Sequence, residues 1–310
     1  MTKQPDARPP VPPIVGIIIG IAAVSSASIL IRFAQGEEAP SLVIAAARLT
    51  LASLILVPLA LVRFRDEYRR LRRSDWGLAV FSGTFLALHF ATWITSLEYT
   101  TVSSSTVIVS SSPLFVAVAS WLILRERIGR EIIIGLIVAL VGGVIVGLTD
   151  TGGATRNAIL GDLLALGGAI TVAGYLIIGR RLRAKLSIVP YTAVVYGTAA
   201  VVMLLMVIAT RQSFVGYNPI TYLWLLLLAL GPQLIGHSSF NWALAHLPAT
   251  FVAVATLGEP IGSTILAYFI LRETPTPVKM TGAALILAGI VIAAYRTSGQ
   301  GTGLPPQTEC

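Results

Sequence analysis

Leu244–Glu273 reads LAHLPATFVAVATLGEPIGSTILAYFILRE, and Leu97–Glu126 reads LEYTTVSSSTVIVSSSPLFVAVASWLILRE. The two align without a gap at an offset of 147 residues, with Leu244 on Leu97, Pro260 on Pro113 and Tyr268 on Trp121. Leu271, Arg272 and Glu273 fall on Leu124, Arg125 and Glu126. Farther on, Gly282 and Gly289 fall on Gly135 and Gly142, so the match spans 97–148 and 244–295. An apolar run with a proline inside it, a Leu-Arg-Glu exit and a glycine-marked second run thus occur twice, in the same order.

Working outward, ten apolar stretches approach the roughly 20 residues that a helix needs to cross the hydrocarbon core. They cover 14–33, 41–62, 76–97, 102–124, 132–148, 158–179, 189–209, 220–245, 249–271 and 277–295. Five fall in each half. Five is odd, so the second half must enter the bilayer upside down relative to the first. The expectation is an all-α integral membrane protein built from ten transmembrane helices as two inverted five-helix repeats. The first repeat takes residues 14–149 and the second 158–296, with disordered cytoplasmic segments at 1–13 and 297–310. Inverted repeats of this kind build secondary transporters whose site lies near the bilayer midplane.

Composition agrees with that class. The 310 residues are 55% hydrophobic and 12% charged, and the mean hydropathy is +0.83. Soluble domains carry about 25% charged residues; half that leaves too little polar surface to face water. The net charge of +8 sits in short segments between apolar runs, where anionic lipid headgroups explain it. No continuous basic surface exists to follow a phosphate backbone, which argues against nucleic acid. Cys310 is the sole cysteine, so no intramolecular disulfide forms.

Lysine and arginine in the short loops set the orientation. Of the 22, sixteen fall on the N-terminal side, five on the other, and Arg48 lies within the second span. The bias places both termini in the cytoplasm and the protein in the cytoplasmic or inner membrane. Small residues four apart, Gly16/Gly20, Gly143/Gly147 and Gly289/Ala293, fit close helix packing in lipid. Spans five and ten carry few polar side chains, which also admits a homodimer through them.

Ionisable groups at membrane depth are costly and usually functional. Glu259 is the sharpest candidate, ten residues into its span and directly before Pro260. The proline leaves the Thr256 carbonyl without its helical partner, in a setting where irregular backbone is tolerable only beside a cavity. The acid can bind substrate or exchange protons, or it can lock two helices together. Its repeat mate is Ser112, before Pro113; the halves keep the bend and not the charge. Ser105 and Ser112 share a face of a serine-rich span and are expected to line the cavity.

His89 and Trp93 are four apart, as are His237 and Asn241, which puts each pair on one helical face. These pairs form either a pocket with aromatic walls or simple interhelical hydrogen bonds. Arg48 can snorkel outward, bind a carbonyl of the first helix or hold an anion. Tyr175 and Tyr196 either line the path or fill the core, and Asp162 is read as a helix cap. Metal ligation is not expected, because no four ligands converge and no thiol is available. No cofactor is implied. Walker, H-E-x-x-H, G-x-S-x-G and dinucleotide glycine motifs are absent, so the chain is not expected to be an enzyme.

Four motifs carry a family resemblance: Gly161-Asp162-Leu163-Leu164-Ala165-Leu166, Leu257-Gly258-Glu259-Pro260, Leu271-Arg272-Glu273 and Ala47-Arg48-Leu49. With the repeat, they make the chain resemble an EamA-type member of the drug/metabolite transporter superfamily. The resemblance implies ten helices, both termini inside, and a central cavity formed by spans 1, 3, 4, 6, 8 and 9. It also implies alternating-access efflux of small metabolites such as amino acids, nucleosides or amphiphilic toxic compounds. Ser112 departs from the Glu-Pro pair often seen at the first-repeat position, which counts against a two-carboxylate mechanism. Two other classes stand beside this reading: an intramembrane enzyme acting on a lipid-linked substrate, and a non-transporting membrane scaffold.

Overall fold

The computed structural model describes residues 11–100, 105, 108–126, 128–148, 157–271 and 276–294. Residues 1–10 and 297–310 of the two terminal segments, the loop 149–156, Ser103, Ser104, Thr106, Arg272 and Glu273 lie outside the described residues. What is described is helical, with no strand among the described residues.

The first half comprises α1 (Pro13–Val24), α2 (Ala27–Gly36), α3 (Ser41–Arg63), the short α4 (Arg65–Arg69) and α5 (Arg73–Tyr99). It continues with α6 (Ser112–Ala119), a π-helical turn at Ser120–Leu124, and α7 (Arg130–Leu148). The second half comprises α8 (Ala158–Arg183), α9 (Ile188–Ala209), α10 (Pro219–Leu228), a π-helical segment at Ala229–His237, and α11 (Ser238–Ala243). It ends with α12 (Ala249–Thr256), α13 (Glu259–Leu271) and α14 (Pro277–Ala294). By length and composition, seven stretches among the described residues can cross a membrane: Pro13–Gly36, Ser41–Arg63, Arg73–Ser96, Ala158–Arg183, Ile188–Ala209, Pro219–Ala243 and Ala249–Ile270.

Three of these stretches are not the continuous helices that apolar runs suggest. The first breaks at Ser25-Ser26, where Ser25 Oγ donates to the Ile21 carbonyl (2.6 Å) and Ser26 Oγ to that of Ala23 (2.8 Å). Serine hydroxyls bonding back to their own helix compete with its backbone ladder and bend it. The Pro260 bend is a full interruption: Leu257 and Gly258 stand between α12 and α13, closed by tight bonds to Val254 and Ala255. Pro113 likewise sits in the opening turn of α6, not in mid-helix. Pro232, which the sequence reading passed over, widens Ala229–His237 into π-helix by removing one backbone donor.

Glycine sets the closest helix approaches. A Cβ on Gly142 would stand 2.6 Å from the Gly282 carbonyl oxygen, and one on Gly135 would collide with the Gly289 carbonyl and Ala293. So α7 and α14 pack on each other through Gly135, Gly142, Gly282 and Gly289, within one chain. Gly143 has nothing near it, which corrects the Gly143/Gly147 face named above. The glycine face that would have served a homodimer through spans five and ten is already occupied intramolecularly. Gly16 and Gly20 of α1 pack under the rings of Trp242 and Phe240.

Candidate functional site

Arg48 of α3 is fully buried, 1% exposed. It therefore does not snorkel to the surface. Its Nε donates to Gln233 Oε1 in the π-helical segment (3.0 Å), and the guanidinium stands 4.2 Å from the centre of the Phe90 ring. A cation over an aromatic face, away from water, is held by the ring quadrupole. The second side of Phe90 is occupied by histidines: His237 meets its ring edge-on (5.4 Å) and His89 lies against it (5.0 Å). His89 also stacks on Trp93 at 5.8 Å, nearly parallel. Its Nδ1 lies 3.0 Å from the Gly168 carbonyl; a carbonyl only accepts, so Nδ1 carries the proton and Nε2 is left as an acceptor.

Glu259 completes this group. Arg48 and Glu259 are within electrostatic reach of one another, and Arg48 likewise acts on His89 and His237. The Glu259 carboxylate makes no hydrogen bond and no ion pair within 4 Å among the described residues. Its backbone oxygen does accept, weakly, from Ser25 Oγ (3.3 Å). Ser263 Oγ donates to the Ser25 carbonyl (2.9 Å), and Ser28 and Ser263 hydroxyls meet at 3.3 Å. Gly262 is needed here, because any Cβ would overlap Ser25. The break in the first apolar stretch therefore lies directly against the break before Glu259.

Asn241 is buried at the hub of a tyrosine network that reaches Arg48 and Gln233 through Tyr196. It accepts from Tyr175 OH through Oδ1 (2.7 Å) and donates through Nδ2 to Tyr196 OH (3.1 Å). Tyr196 OH in turn meets Ser238 Oγ (3.2 Å). Both phenols are core groups. Ser105 and Ser96 hydroxyls meet at 2.6 Å, joining two spans. Ser112 is buried, 7% exposed. Asp162 accepts from Thr100 Oγ1 (2.9 Å), while Asn157 caps α8, which corrects the capping role given to Asp162. An open groove of about 600 Å³ lies beside it, lined by Ile108, Ser110, Leu114, Asp162 and Leu163, apart from the charged cluster. Among the described residues no three His, Cys, Asp or Glu side chains converge as a metal site.

Gln233 and Phe90 are the residues that sequence reasoning missed. Gln233 is uncharged, and Phe90 is an ordinary apolar residue in an apolar run. The signal for Phe90 was the repeat offset itself, since Phe90 is the mate of His237. For Gln233 it was Pro232 beside an amide at mid-span.

Residues 12–148 and 159–295 each match the model of the EamA-like transporter family. An uncharacterized transporter of Bacillus subtilis (strain 168), YetK, is 23% identical over 279 residues, covering 88% of this chain and 84% of that protein. An uncharacterized transporter of Archaeoglobus fulgidus is 26% identical over 281 residues, or 89% of this chain and 94% of the relative. A solved crystal structure superposes with a TM-score of 0.73 at 18% identity, over 92% of this chain and 98% of that one, a likeness of fold.

Proposed function

The chain belongs to the EamA-like transporter family, and from that premise we propose that it is a secondary active transporter of the cytoplasmic membrane. It exports small metabolites, amino-acid-like, nucleoside-like or amphiphilic, by alternating access. Ten transmembrane helices form two inverted repeats with both termini in the cytoplasm.

Contact symmetry supports the inversion. Gly135 meets Gly289 and Gly142 meets Gly282, so exchanging each residue for its repeat mate turns one contact into the other. The run of these contacts makes α7 and α14 antiparallel. Related helices that are antiparallel are exchanged by a two-fold axis in the membrane plane, the relation found in inverted-repeat transporters. Phe90 and His237, mates in contact with each other, fit a position on that axis.

The observation that carries the transport reading is the juxtaposition of the two helix breaks, Ser25-Ser26 and Leu257-Gly258, beside Arg48, Glu259 and the paired histidines. Discontinuous helices at mid-depth are what such transporters use to present polar groups to a substrate. Glu259, whose carboxylate has no hydrogen-bond partner among the described residues, is the group proposed to exchange a proton during the cycle.

The test is purified protein in liposomes, offered a panel of amino acids, nucleosides and amphiphiles under an imposed pH gradient. The expected result is flux of at least one class, driven by the gradient, with the gradient response lost in Glu259→Gln. Cleavage of a lipid-linked substrate without any solute flux would replace this reading with the enzyme one.

A further inference from the structure

We infer that Arg48 and Gln233 together form the anchor for a carboxylate carried by the transported solute, an inference that rests on the transporter reading above. Two hydrogen-bond donors in the cluster have no partner of full hydrogen-bond geometry among the described residues: Arg48 Nη2 and Gln233 Nε2. Both side chains are buried, at 1% and 0% exposure. The Tyr196 hydroxyl is the polar group that interacts with the Gln233 amide, short of that geometry. A buried donor left unpaired forfeits the hydrogen bonds it made with water, and hydrocarbon supplies no replacement. Two such donors, on a contact that already joins Arg48 to Gln233, make a seat for an acceptor that no described residue fills, since Glu259 stands near Arg48 without a salt bridge to it.

The chemistry of the seat selects the ligand. Nε and Nη2 share one edge of the guanidinium, the edge that binds carboxylates in paired fashion. Gln233 Oε1 occupies Nε alone, so the free donor on that edge lies next to the amide. An alkylamine is protonated near neutral pH, so it is repelled by Arg48 and has no lone pair left to accept from Nη2. A doubly charged phosphate brings two negative charges to one cation with Glu259 close by. A carboxylate brings one, and its two oxygens can take one donor each from the arginine and the amide. Gln233 also belongs to the deformed segment Ala229–His237, and π-helical insertions recur at functional sites. Movement of that segment is a direct way to uncover the seat.

Matched analogues test the assignment on the full-length protein in lipid nanodiscs, with tryptophan fluorescence and thermal shift as readouts. One series is leucine, 4-methylpentanoate and 3-methylbutylamine; the other is phenylalanine, 3-phenylpropanoate and phenethylamine. Members bearing a carboxylate should bind and stabilise, and the amines should not. Gln233→Leu and Arg48→Lys should weaken carboxylate binding about 10- to 100-fold, as expected for loss of a charge-assisted hydrogen bond. Gln233→Glu supplies Arg48 with an internal carboxylate, so it should bind no acid while melting at or above the wild-type temperature. That variant keeps the test decisive if Arg48 substitutions fail to fold. Amines binding as well as acids, failure of every acid to bind, or wild-type acid binding by Gln233→Glu would overturn the anchor. Liposome flux separates the two levels. Transport of amines or nucleosides but of no carboxylate removes the anchor and leaves the transporter, whereas the absence of any flux removes the transporter reading itself.

Discussion

Asn241 illustrates how a single amide fixes the polar interior. Its carbonyl oxygen and amino group are committed to two different buried phenols, Tyr175 and Tyr196, and its backbone oxygen accepts from Arg183 Nε (3.0 Å). Replacing it with leucine keeps the volume, leaves the Tyr175 hydroxyl without its amide acceptor and leaves Tyr196 with Ser238 Oγ alone. An orphaned buried group costs roughly 1–3 kcal/mol, so Asn241→Leu should destabilise the protein by about that much. Thermal unfolding in detergent measures it. A Tyr175→Phe, Tyr196→Phe, Asn241→Leu triple variant should recover part of the loss, because apolar groups of similar shape on both sides remove the penalty. Glu259 was legible in the sequence because a lone acid before a proline in an apolar run has few benign explanations. The Arg48–Gln233 pair was not, since the partners are 185 residues apart in sequence and the amide carries no charge. His237 and Asn241 are joined by α-helix, which resumes at Ser238, and their partners differ: His237 meets the Phe90 ring while Asn241 is committed to two phenols.

Among the elements, seven of the apolar runs correspond to helices long and apolar enough to cross a membrane among the described residues, because a run that must satisfy its own backbone in lipid has one solution. What length does not report is interruption. Pro260 announced one break and two serines produced the other without any proline. Helix packing was legible only in kind: small residues mark close approach, yet which small face is used depends on a partner helix that the pattern does not name. That distinction is measurable. Gly289→Ala places a methyl against the Ala139 backbone nitrogen and the Gly135 carbonyl, which must force α7 and α14 apart. It should lower the melting temperature measurably and reduce folded yield in detergent. Gly143→Ala meets nothing within 4 Å and replaces the residue that costs a helix about 0.8–1.0 kcal/mol relative to alanine. It should therefore be neutral or stabilising, by up to about 1 kcal/mol. Equal behaviour of the two variants would refute the packing of these helices through Gly135 and Gly289.

For the whole molecule, one end of the bundle is tied together by polar contacts between loops of both halves. Arg180 Nε pairs with Glu126 (3.0 Å) while its Nη1 donates to the Leu244 carbonyl (2.7 Å). Lys185 pairs with Asp75 (2.7 Å), and both carboxylate oxygens of Glu67 accept from Ser187, through its hydroxyl and its backbone N–H. Tyr68 OH donates to the Pro190 carbonyl (3.1 Å). Burial, reinforced by the adjacent Glu67 charge, pushes the Tyr68 phenol up to about 12, so this tie keeps its proton through the physiological range. On the proposed orientation this end faces the cytoplasm, and in the proposed alternating-access cycle it must part for substrate to enter. Arg180 joins the Leu-Arg-Glu exit of the first repeat to the end of α11, so Arg180→Gln should loosen the end without touching Arg48 or Glu259. With Cys310 replaced by serine, a single cysteine at Ser238 should then react faster with a cytoplasmic thiol reagent in Arg180→Gln than in the parent. Equal rates would mean that the ties are ornamental to the cycle. The same cysteine method reaches the symmetry underlying every scale: labels placed at Arg125 and Arg272, repeat mates at the two Leu-Arg-Glu exits, should react from opposite sides of the membrane. Reaction from one side would make the halves parallel, and antiparallel α7 and α14 could no longer be related by any operation that maps one half onto the other.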